Sequence, residues 1–259
     1  MKLTIGLTSC NNHAETWFTL QALRMYHDLI DTEIVVIDNG NDQALRSYVG
    51  DWAHRDVRYV QHTDSVGPAG AKNRVFTESR GDWVLVMDSH VLLAPGSVNR
   101  FKEWTEKNPD CLSLLHGPLL YDDLLSTADA MNDEWRGGMW GTWRNAVVSQ
   151  DAEPYEIPMH GMGLFGCRRD AWLVFNPSFK GFGGEEGYIH AKYRQTGRSV
   201  LCLPFLRWSH YFRPSAAPYP VMTADRIHNY TVGLAELGID NAEMRAHFGA
   251  HAVSEVATT

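Results

Sequence analysis

Short apolar runs alternate with amphipathic stretches over the first part of the chain. Residues 2–8 are apolar and rich in β-branched side chains, and the apolar positions of 14–29 recur with helical spacing. The near-continuous apolar run at 33–37 is typical of a strand buried on both faces of a parallel sheet. The same reasoning predicts a strand at 56–61, a helix at 68–79 and a strand at 83–87. The order is βαβαβαβ and indicates a doubly wound α/β half-domain.

Four polar side chains fall just past the ends of the predicted strands: Thr8, Asp38, Asp64 and Asp88. Because parallel strands end at the same edge of a sheet, ligands of such folds bind outside the carboxyl ends of the strands. We therefore expect these side chains to lie around one binding site.

The second part of the chain has a weaker pattern. Residues 122–144 are rich in Trp, Gly and Met, a helix is predicted from 181–186 to about residue 195, and a strand at 199–203. Helical spacing returns at 224–248, and no repeat or low-complexity linker interrupts the chain. We predict one domain, 1–259, with a nucleotide-binding half at 1–95, a donor-sugar and acceptor half at 96–223 and a helical tail at 224–259.

Composition narrows the classes of function. The 259 residues are 44% hydrophobic and 21% charged, which is enough for one large core. The formal net charge of -8 argues against a nucleic-acid acceptor, because phosphate binding needs clustered Lys and Arg.

The four cysteines are widely separated and form no CxxC pair, which is typical of proteins in a reducing compartment. With no signal-peptide pattern and no apolar run of ~18 residues, we expect a cytoplasmic protein without a membrane span.

A candidate metal site begins with Asp88-Ser89-His90, which closes an apolar strand. A carboxylate and an imidazole two residues apart can reach one divalent ion, although an isolated motif of this kind is more often a capping Asp and an exposed His. His210, in the segment RWSHYFR, would add a third ligand. Such a mixed oxygen and nitrogen set suits Mn²⁺ better than Mg²⁺. Arg213, three residues later, can hold phosphate oxygens.

Two adjacent carboxylates, Glu185 and Glu186, follow Gly183-Gly184 at the predicted start of a helix. The plain alternative is that they cap a solvated helix. In a catalytic site, one would hydrogen-bond the donor sugar while the other faces the acceptor hydroxyl as a general base. A further candidate surface is aromatic, and its side chains either pack in a core or stack on a sugar ring: Trp135, Trp140 and Trp143.

Five short motifs follow in a fixed order: DSH at 88–90, PMHGMGLFGCRRD at 158–170, GFGGEE at 181–186, HYFR at 210–213 and PY at 218–219. Together with the stretch SVGPAGAKNRVFTESRGDWVLVMDSH, they resemble the GT-A glycosyltransferases, and within them the polypeptide N-acetylgalactosaminyltransferases. The resemblance implies a GT-A-like nucleotide-diphospho-sugar transferase fold. This is an α/β fold with a Rossmann-like, mostly parallel sheet and helices on both faces.

The resemblance also implies roles for single residues. Metal would be bound by Asp88, His90 and His210, and the catalytic residues would be Glu185, Glu186 and Arg213. The residues expected at the nucleotide-sugar are Thr8, Asn11, Asp38, Asn39, Gly67, Lys72, Asp88, Ser89, Gly163, Phe182, Gly184 and Tyr219. Among these, Thr8, Asp38 and Asn39 would contact uracil and ribose, and Tyr219 would close over the diphosphate. Trp140 and Trp143 lie where this family places acceptor contacts.

One residue departs from the family pattern. The family has Asn after the Glu of its GGE motif, whereas this chain has Glu186. The family retains the anomeric configuration, but inverting relatives with a GGED motif place their catalytic base at this position. We also expect the chain to carry neither the membrane anchor nor the lectin domain of that family, so the resemblance does not imply a mucin-type peptide acceptor in a secretory compartment.

We therefore predict a glycosyltransferase that uses a divalent metal, Mn²⁺ foremost, and moves a sugar from a UDP-sugar to an acceptor hydroxyl of a protein, glycan or small molecule. Retention is favoured, and inversion with Glu186 as base is the alternative. A nucleotide-sugar hydrolase or pyrophosphorylase-like enzyme would use the same metal site. A non-catalytic glycan-binding module would keep the fold without the chemistry. The acidic balance disfavours a transferase acting on modified nucleic-acid bases.

Overall fold

The computed structural model describes residues 2–50, 57–65, 67–212 and 220–249. The first part of the chain contains β1 (Leu3–Ser9), α1 (His13–Tyr26), β2 (Thr32–Asp38), α2 (Gln43–Gly50), β3 (Val57–Gln61), α3 (Pro68–Glu78), β4 (Trp83–Asp88), β5 (Val91–Leu93) and α4 (Ser97–Lys107). The second part contains β6 (Leu114–His116), β7 (Leu119–Leu120), β8 (Thr127–Arg136), β9 (Met139–Asn145), β10 (Tyr155–Glu156), β11 (Leu164–Arg168), α5 (Glu185–Gln195), β12 (Val200–Cys202), β13 (Trp208–His210), α6 (Thr223–Glu236) and α7 (Ala242–Phe248).

The larger of two sheets has eight strands in the order β10-β12-β6-β11-β4-β1-β2-β3. β1 pairs in parallel with β2 and β4, β2 with β3, and β6 with β12. β11 runs antiparallel between β4 and β6, and β10 is antiparallel to β12. The sheet is mostly parallel, which confirms the α/β, GT-A-like architecture expected from the sequence.

Alternate side chains of the central strands enter two cores, one on each face of this sheet. Ile34 of β2 belongs to the same buried cluster as Leu20 of α1, whereas its neighbour Val35 belongs to the cluster of Val75 of α3. A strand covered by helices on both faces needs apolar side chains at nearly every position, which explains the unbroken apolar run of β2.

The Trp-rich segment, for which the sequence predicted no regular element, forms the long hairpin of β8 and β9. The hairpin closes a five-stranded sheet in the order β5-β13-β7-β8-β9. Its pairing shifts register twice, between Ala128 and Ala130 and between Asn132 and Trp135. Such shifts break the two-residue alternation by which a strand is recognised in a sequence.

The C-terminal region also differs from the expectation of one helical stretch at 224–248. α6 ends at Glu236 and α7 begins at Ala242, with Gly238 between them at a φ of +64°. A glycine in this left-handed conformation commonly terminates a helix. Among the described residues, no helix is both long and apolar enough to cross a membrane.

Candidate active site

Three side chains of types that can bind a metal converge at the carboxyl edge of β4. Asp88 ends β4, His90 follows two residues later, and His210 ends β13. The distant His210 arrives here because β13 pairs with β5, where His210 lies opposite Val91. One ligand atom from each of the three residues lies within 4.8 Å of the others. A carboxylate oxygen and two imidazole nitrogens are a donor set that suits a transition metal such as Mn²⁺.

Polar neighbours hold Asp88 in its charged form. Its Oδ1 accepts a hydrogen bond from Thr8 at 3.2 Å and lies 3.2 Å from Lys72 Nζ, and its Oδ2 lies 3.7 Å from His210 Nε2. Burial alone would raise the pKa of Asp88, but Lys72 and the two histidines outweigh it and hold that pKa well below its usual range. The ionised carboxylate is the form that binds a cation.

The glycine before α3 brings Lys72 to this site. A Cβ on Gly67 would come within 1.9 Å of the Gly181 carbonyl oxygen, and Gly67 has a φ of +111°. Only glycine allows this close approach of α3 to the GFGGEE segment. Asn39 fixes the contact further by donating a hydrogen bond to the Gly67 carbonyl at 2.6 Å.

Of the three residues expected at the uracil and ribose, Asp38 and Asn39 differ in their surroundings. The Asp38 carboxylate accepts hydrogen bonds from the backbone N–H groups of Gly40 at 2.9 Å and Asp42 at 3.2 Å, and from the Tyr59 hydroxyl at 2.8 Å. Asp38 therefore shapes the turn after β2 and is not among the residues that line the cavity. Asn39 lines the cavity, and its Oδ1 is buried without a hydrogen-bond partner in the described part of the chain.

A cavity of about 390 Å³ connects these groups. Its size falls within the range of small-molecule sites. The expected site residues that line it are Thr8, Asn39, Gly67, Lys72, Asp88, Ser89, His90, Trp143, Gly163, Phe182, Glu185, Glu186 and His210. Residues from both halves of the chain thus meet in one place. Arg213 and Tyr219 lie outside the described residues.

The carboxylate pair begins α5, after Gly184 with a φ of +99°. Glu185 is buried, and one carboxylate oxygen of each residue, Glu185 Oε1 and Glu186 Oε2, is buried without a hydrogen-bond partner among the described residues. Burial and the neighbouring Glu186 raise the pKa of Glu185, and burial raises the pKa of Glu186. A carboxyl group with a raised pKa is suited to proton transfer, and its free acceptor atoms can bind ligand hydroxyls.

The tryptophans separate into two groups. Trp143 lines the cavity. Trp140 does not: it is buried, it stacks on Trp135 with ring centroids 5.5 Å apart, and a Cβ on Gly187 of α5 would come within 2.1 Å of its ring. The expected acceptor contact of Trp140 therefore has no counterpart in the cavity lining, because the close approach of β9 to α5 fills that side of the strand.

Asn12 lines the cavity where the sequence predicted Asn11. Asn12 is buried, lines the cavity and donates a hydrogen bond to Ser89 Oγ at 2.9 Å. Asn11 is exposed, and its Oδ1 accepts the Asn41 N–H at 3.2 Å. Further lining residues, none of them predicted from the sequence as a site residue, include Cys10, Met131, Met139, Met162, Tyr211 and Phe212.

The profile of Glycosyl transferase family 2 matches residues 4–171, which is more than half of the chain. The chain belongs to glycosyltransferase family 2. The matched residues include the central strands, Asp88, His90 and the hairpin of β8 and β9, and membership of this family identifies the chain as a glycosyltransferase.

The resemblance to N-acetylgalactosaminyltransferases is also confirmed. This family 2 glycosyltransferase is 24% identical over 232 residues to N-acetylgalactosaminyltransferase 7 of Drosophila melanogaster. That match covers 74% of the chain but only 37% of the relative, so the chain spans little more than a third of the length of this relative.

Solved structures confirm the fold. The crystal structure of GalNAc-T7 with UDP, GalNAc and Mn²⁺ has a TM-score of 0.71 at 16% identity and covers 96% of this chain and 54% of its own. TarS 1–349 of S. aureus in complex with UDP-GlcNAc has a TM-score of 0.64 at 14% identity, with 98% and 72% covered. The mannosyltransferase PcManGT of Pyrobaculum calidifontis with GDP-Man and Mn²⁺ has a TM-score of 0.59 at 16% identity, with 83% and 58% covered.

Proposed function

We propose that this glycosyltransferase moves a sugar from a UDP-sugar donor to a hydroxyl of a protein, glycan or small-molecule acceptor, with a divalent metal, Mn²⁺ foremost. The observation that carries the proposal is the convergence of Asp88, His90 and His210 in one cavity with the carboxylates of Glu185 and Glu186. Two structural relatives that bind UDP or a UDP-sugar, one of them together with Mn²⁺, support the choice of donor and metal.

The residues fit a divalent ion. Within the described residues, Asp88, His90 and His210 are the one group of three such side chains whose ligand atoms converge, and His210 Nδ1 is buried without a hydrogen-bond partner. Held by these residues, the ion would neutralise charge on the departing diphosphate. The two imidazoles favour Mn²⁺ over Mg²⁺.

The chain's own residues would orient the donor around this point. Lys72 places a positive charge 3.2 Å from Asp88 in buried surroundings, where electrostatic stabilisation of a leaving group is strongest. Asn39 Oδ1 is free to accept an N–H of the base. Gly163 keeps room beside the metal residues, because a Cβ there would come within 3.0 Å of His210. Arg213 and Tyr219 are assigned to the diphosphate by the family motifs alone.

We propose that the transfer retains the anomeric configuration. The acceptor oxygen would bond to the anomeric carbon on the face from which the diphosphate leaves. The hydroxyl proton would pass to an oxygen of the departing phosphate, so no protein base is required. Support comes from the DSH, GLF, HYFR and PY motifs, which resemble the retaining N-acetylgalactosaminyltransferases.

Inversion is the second candidate, because Glu186 lines the cavity with a free Oε2 and a raised pKa. In this case Glu186 would remove the hydroxyl proton while the oxygen attacks the face opposite the diphosphate. The product linkage distinguishes the two outcomes. From an α-linked donor, retention gives an α product and inversion a β product.

We propose that the acceptor binds beside Trp143, because it lines the cavity and Trp135 and Trp140 do not.

We also propose a cytoplasmic location. All four cysteines, Cys10, Cys111, Cys167 and Cys202, are free thiols, as is usual where the surroundings are reducing.

A panel of nucleotide-sugars with Mn²⁺, analysed by mass spectrometry with and without added acceptors, tests the proposed function. We expect a UDP-sugar to be consumed, with its sugar mass appearing on an acceptor. Release of free sugar at the full rate without an acceptor would indicate a hydrolase. Donor binding that does not depend on metal, with no turnover, would indicate a glycan-binding module.

A further inference from the structure

Three histidines form a fully buried cluster next to the cavity. His116 ends β6, His160 precedes β11 and His190 lies in α5, and each is 0% exposed. The ring of His116 stacks between the other two, with centroids 5.0 Å from His160 and 4.9 Å from His190. None of the three lines the cavity, so the cluster lies behind the site already described.

Hydrogen bonds connect this cluster to the first turn of α5. The Nε2 atoms of His190 and His116 are 2.9 Å apart, and the backbone N–H of His160 donates to His190 Nε2 at 3.2 Å. The other ring nitrogen of His190, Nδ1, lies against the backbone carbonyl of Glu186. His116 Nδ1 lies 3.1 Å from the carbonyl of Leu164.

The positions of the protons follow from these contacts. His190 Nε2 accepts the His160 N–H, so the proton of a neutral His190 ring belongs on Nδ1 and is donated to the Glu186 carbonyl. The Leu164 carbonyl only accepts and favours a proton on His116 Nδ1, whereas the short contact between the two Nε2 atoms favours one on His116 Nε2, so a neutral His116 ring satisfies one of these contacts at a time. Burial lowers the pKa of His116 well below its usual value and that of His190 to about 3, so both rings are neutral.

The result is a hydrogen bond from His190 Nδ1 to the Glu186 carbonyl, with His116 and His160 both in contact with Nε2 on the other side of the His190 ring. A metal does not explain the cluster, because within the described residues the only convergent group of three is Asp88, His90 and His210. His160 directly precedes Gly161, which lines the cavity.

We propose that His190 is a positioning residue for Glu186, and that His116 and His160 fix the ring of His190. The inference rests on the proposed function for its catalytic consequence. The Glu186 side chain lines the cavity, and its backbone carbonyl is hydrogen-bonded to His190, which is outside the cavity lining. We infer that this bond sets the orientation of the first turn of α5. A small displacement of a catalytic or sugar-binding group costs rate without weakening contacts elsewhere in the site.

Two substitutions of the same residue separate positioning from packing. His190→Asn keeps a nitrogen donor near the place of Nδ1, whereas His190→Gln keeps one near Nε2 and loses the donor to Glu186. We expect His190→Gln to lower kcat on the order of tenfold and His190→Asn to retain most of it. UDP affinity should match the wild type in both, because the metal and nucleotide residues lie on other elements. Equal losses of kcat in both variants, or a parallel loss of UDP affinity, would show that His190 only fills space.

A readout without turnover keeps this inference separate from the proposed function. Nitrogen-15 NMR of the imidazoles in the wild type should show the Nδ1–H form at His190 near neutral pH. A His190 ring protonated at Nε2 alone would overturn the proposed hydrogen bond to the Glu186 carbonyl. If instead no UDP-sugar is turned over by the wild type, the proposed function fails and the positioning role fails with it, while the NMR result still decides the hydrogen bond between His190 and Glu186.

Discussion

The side of the cavity that contains Asp88 and the side formed by α5 differ in the hydrogen-bond partners and the ionisation of their carboxyl groups. On the nucleotide side, Asp88 already has polar partners in Thr8 and Lys72 and is held ionised. On the side of α5, Glu185 is buried and Glu186 is half-buried, and each has a raised pKa and one buried carboxylate oxygen without a hydrogen-bond partner among the described residues. Buried acceptor atoms without partners are costly, so they are expected where a ligand supplies the donors. The first side is therefore suited to a cation before any ligand binds, whereas we expect the second side to be completed by the hydroxyl groups of a ligand.

The largest effect is expected on the nucleotide side. Asp88→Asn removes the carboxylate around which the metal residues are arranged, and we expect transfer to fall by about 10³-fold or more. Folding should persist, because Asp88 ends a strand whose remaining residues stay buried. Initial rates and thermal melting are the measurements. Asp110→Asn, at a fully exposed position, is the matched control and should keep wild-type activity. Comparable rates in the two variants would contradict the metal site.

On the side of α5, Glu186→Gln separates the two proposed mechanisms. General-base help is worth ~10²–10⁴-fold in rate, so an inverting enzyme should lose about that factor in kcat and keep its donor affinity. A retaining enzyme should lose less than about tenfold, because the phosphate takes the proton. NMR of the anomeric coupling in the product provides the check. A β linkage made from an α-linked donor would show that retention is wrong.

The tryptophans provide a smaller contrast within the hairpin of β8 and β9. Trp143→Ala should raise the acceptor KM about tenfold through the loss of stacking, with UDP affinity unchanged. Trp140→Ala should instead destabilise the fold by about 3–5 kcal/mol, because it empties a packed core position. Acceptor kinetics and denaturant unfolding of both variants distinguish these outcomes. If Trp140→Ala changed acceptor KM without changing stability, the division between the two residues would be incorrect.

Sequence patterns predict the nucleotide side better than the side of α5, for a physical reason. Thr8 and Asp88 lie opposite each other in adjacent parallel strands, and the apolar runs before them already set that register. Asn12 was missed in favour of Asn11 because a one-residue difference before a helix changes which side chain points inward. The hydrogen bond between Tyr59 and Asp38 could not be predicted from the sequence around Asp38, because Tyr59 lies in a different strand.

Contacts between distant elements could not be predicted from local patterns. His116 and His190 are hydrogen-bonded across 74 residues, and neither lies in a motif of recognisable spacing. Likewise, Trp140 is equivalent to Trp143 in the sequence, and only the packing of Gly187 against Trp140 distinguishes them. The expected roles of Glu185 and His210 rest on short motifs and on the family resemblance, because periodicity alone does not indicate them.

The smallest expected effect is a change of the melting temperature with pH. The pKa of Glu185 in the folded state is raised above its ordinary value of 4.5, so the folded protein binds this proton more tightly than the unfolded chain does. The resulting stabilisation is complete below 4.5 and is lost as pH rises through the raised pKa. Without metal, the melting temperature should fall between about pH 5 and about pH 8, and less so in Glu185→Gln. The exposed Glu153→Gln should follow the wild type. An equal fall in all three proteins would remove Glu185 as its cause.

Calorimetric titration of UDP into the protein, with Mn²⁺ and then with excess chelator, tests the central claim most directly. The convergence of Asp88, His90 and His210 predicts UDP binding that is at least about tenfold tighter with Mn²⁺, and weaker binding of GDP under the same conditions. Equal UDP affinity with Mn²⁺ and with chelator would contradict the metal-dependent donor site.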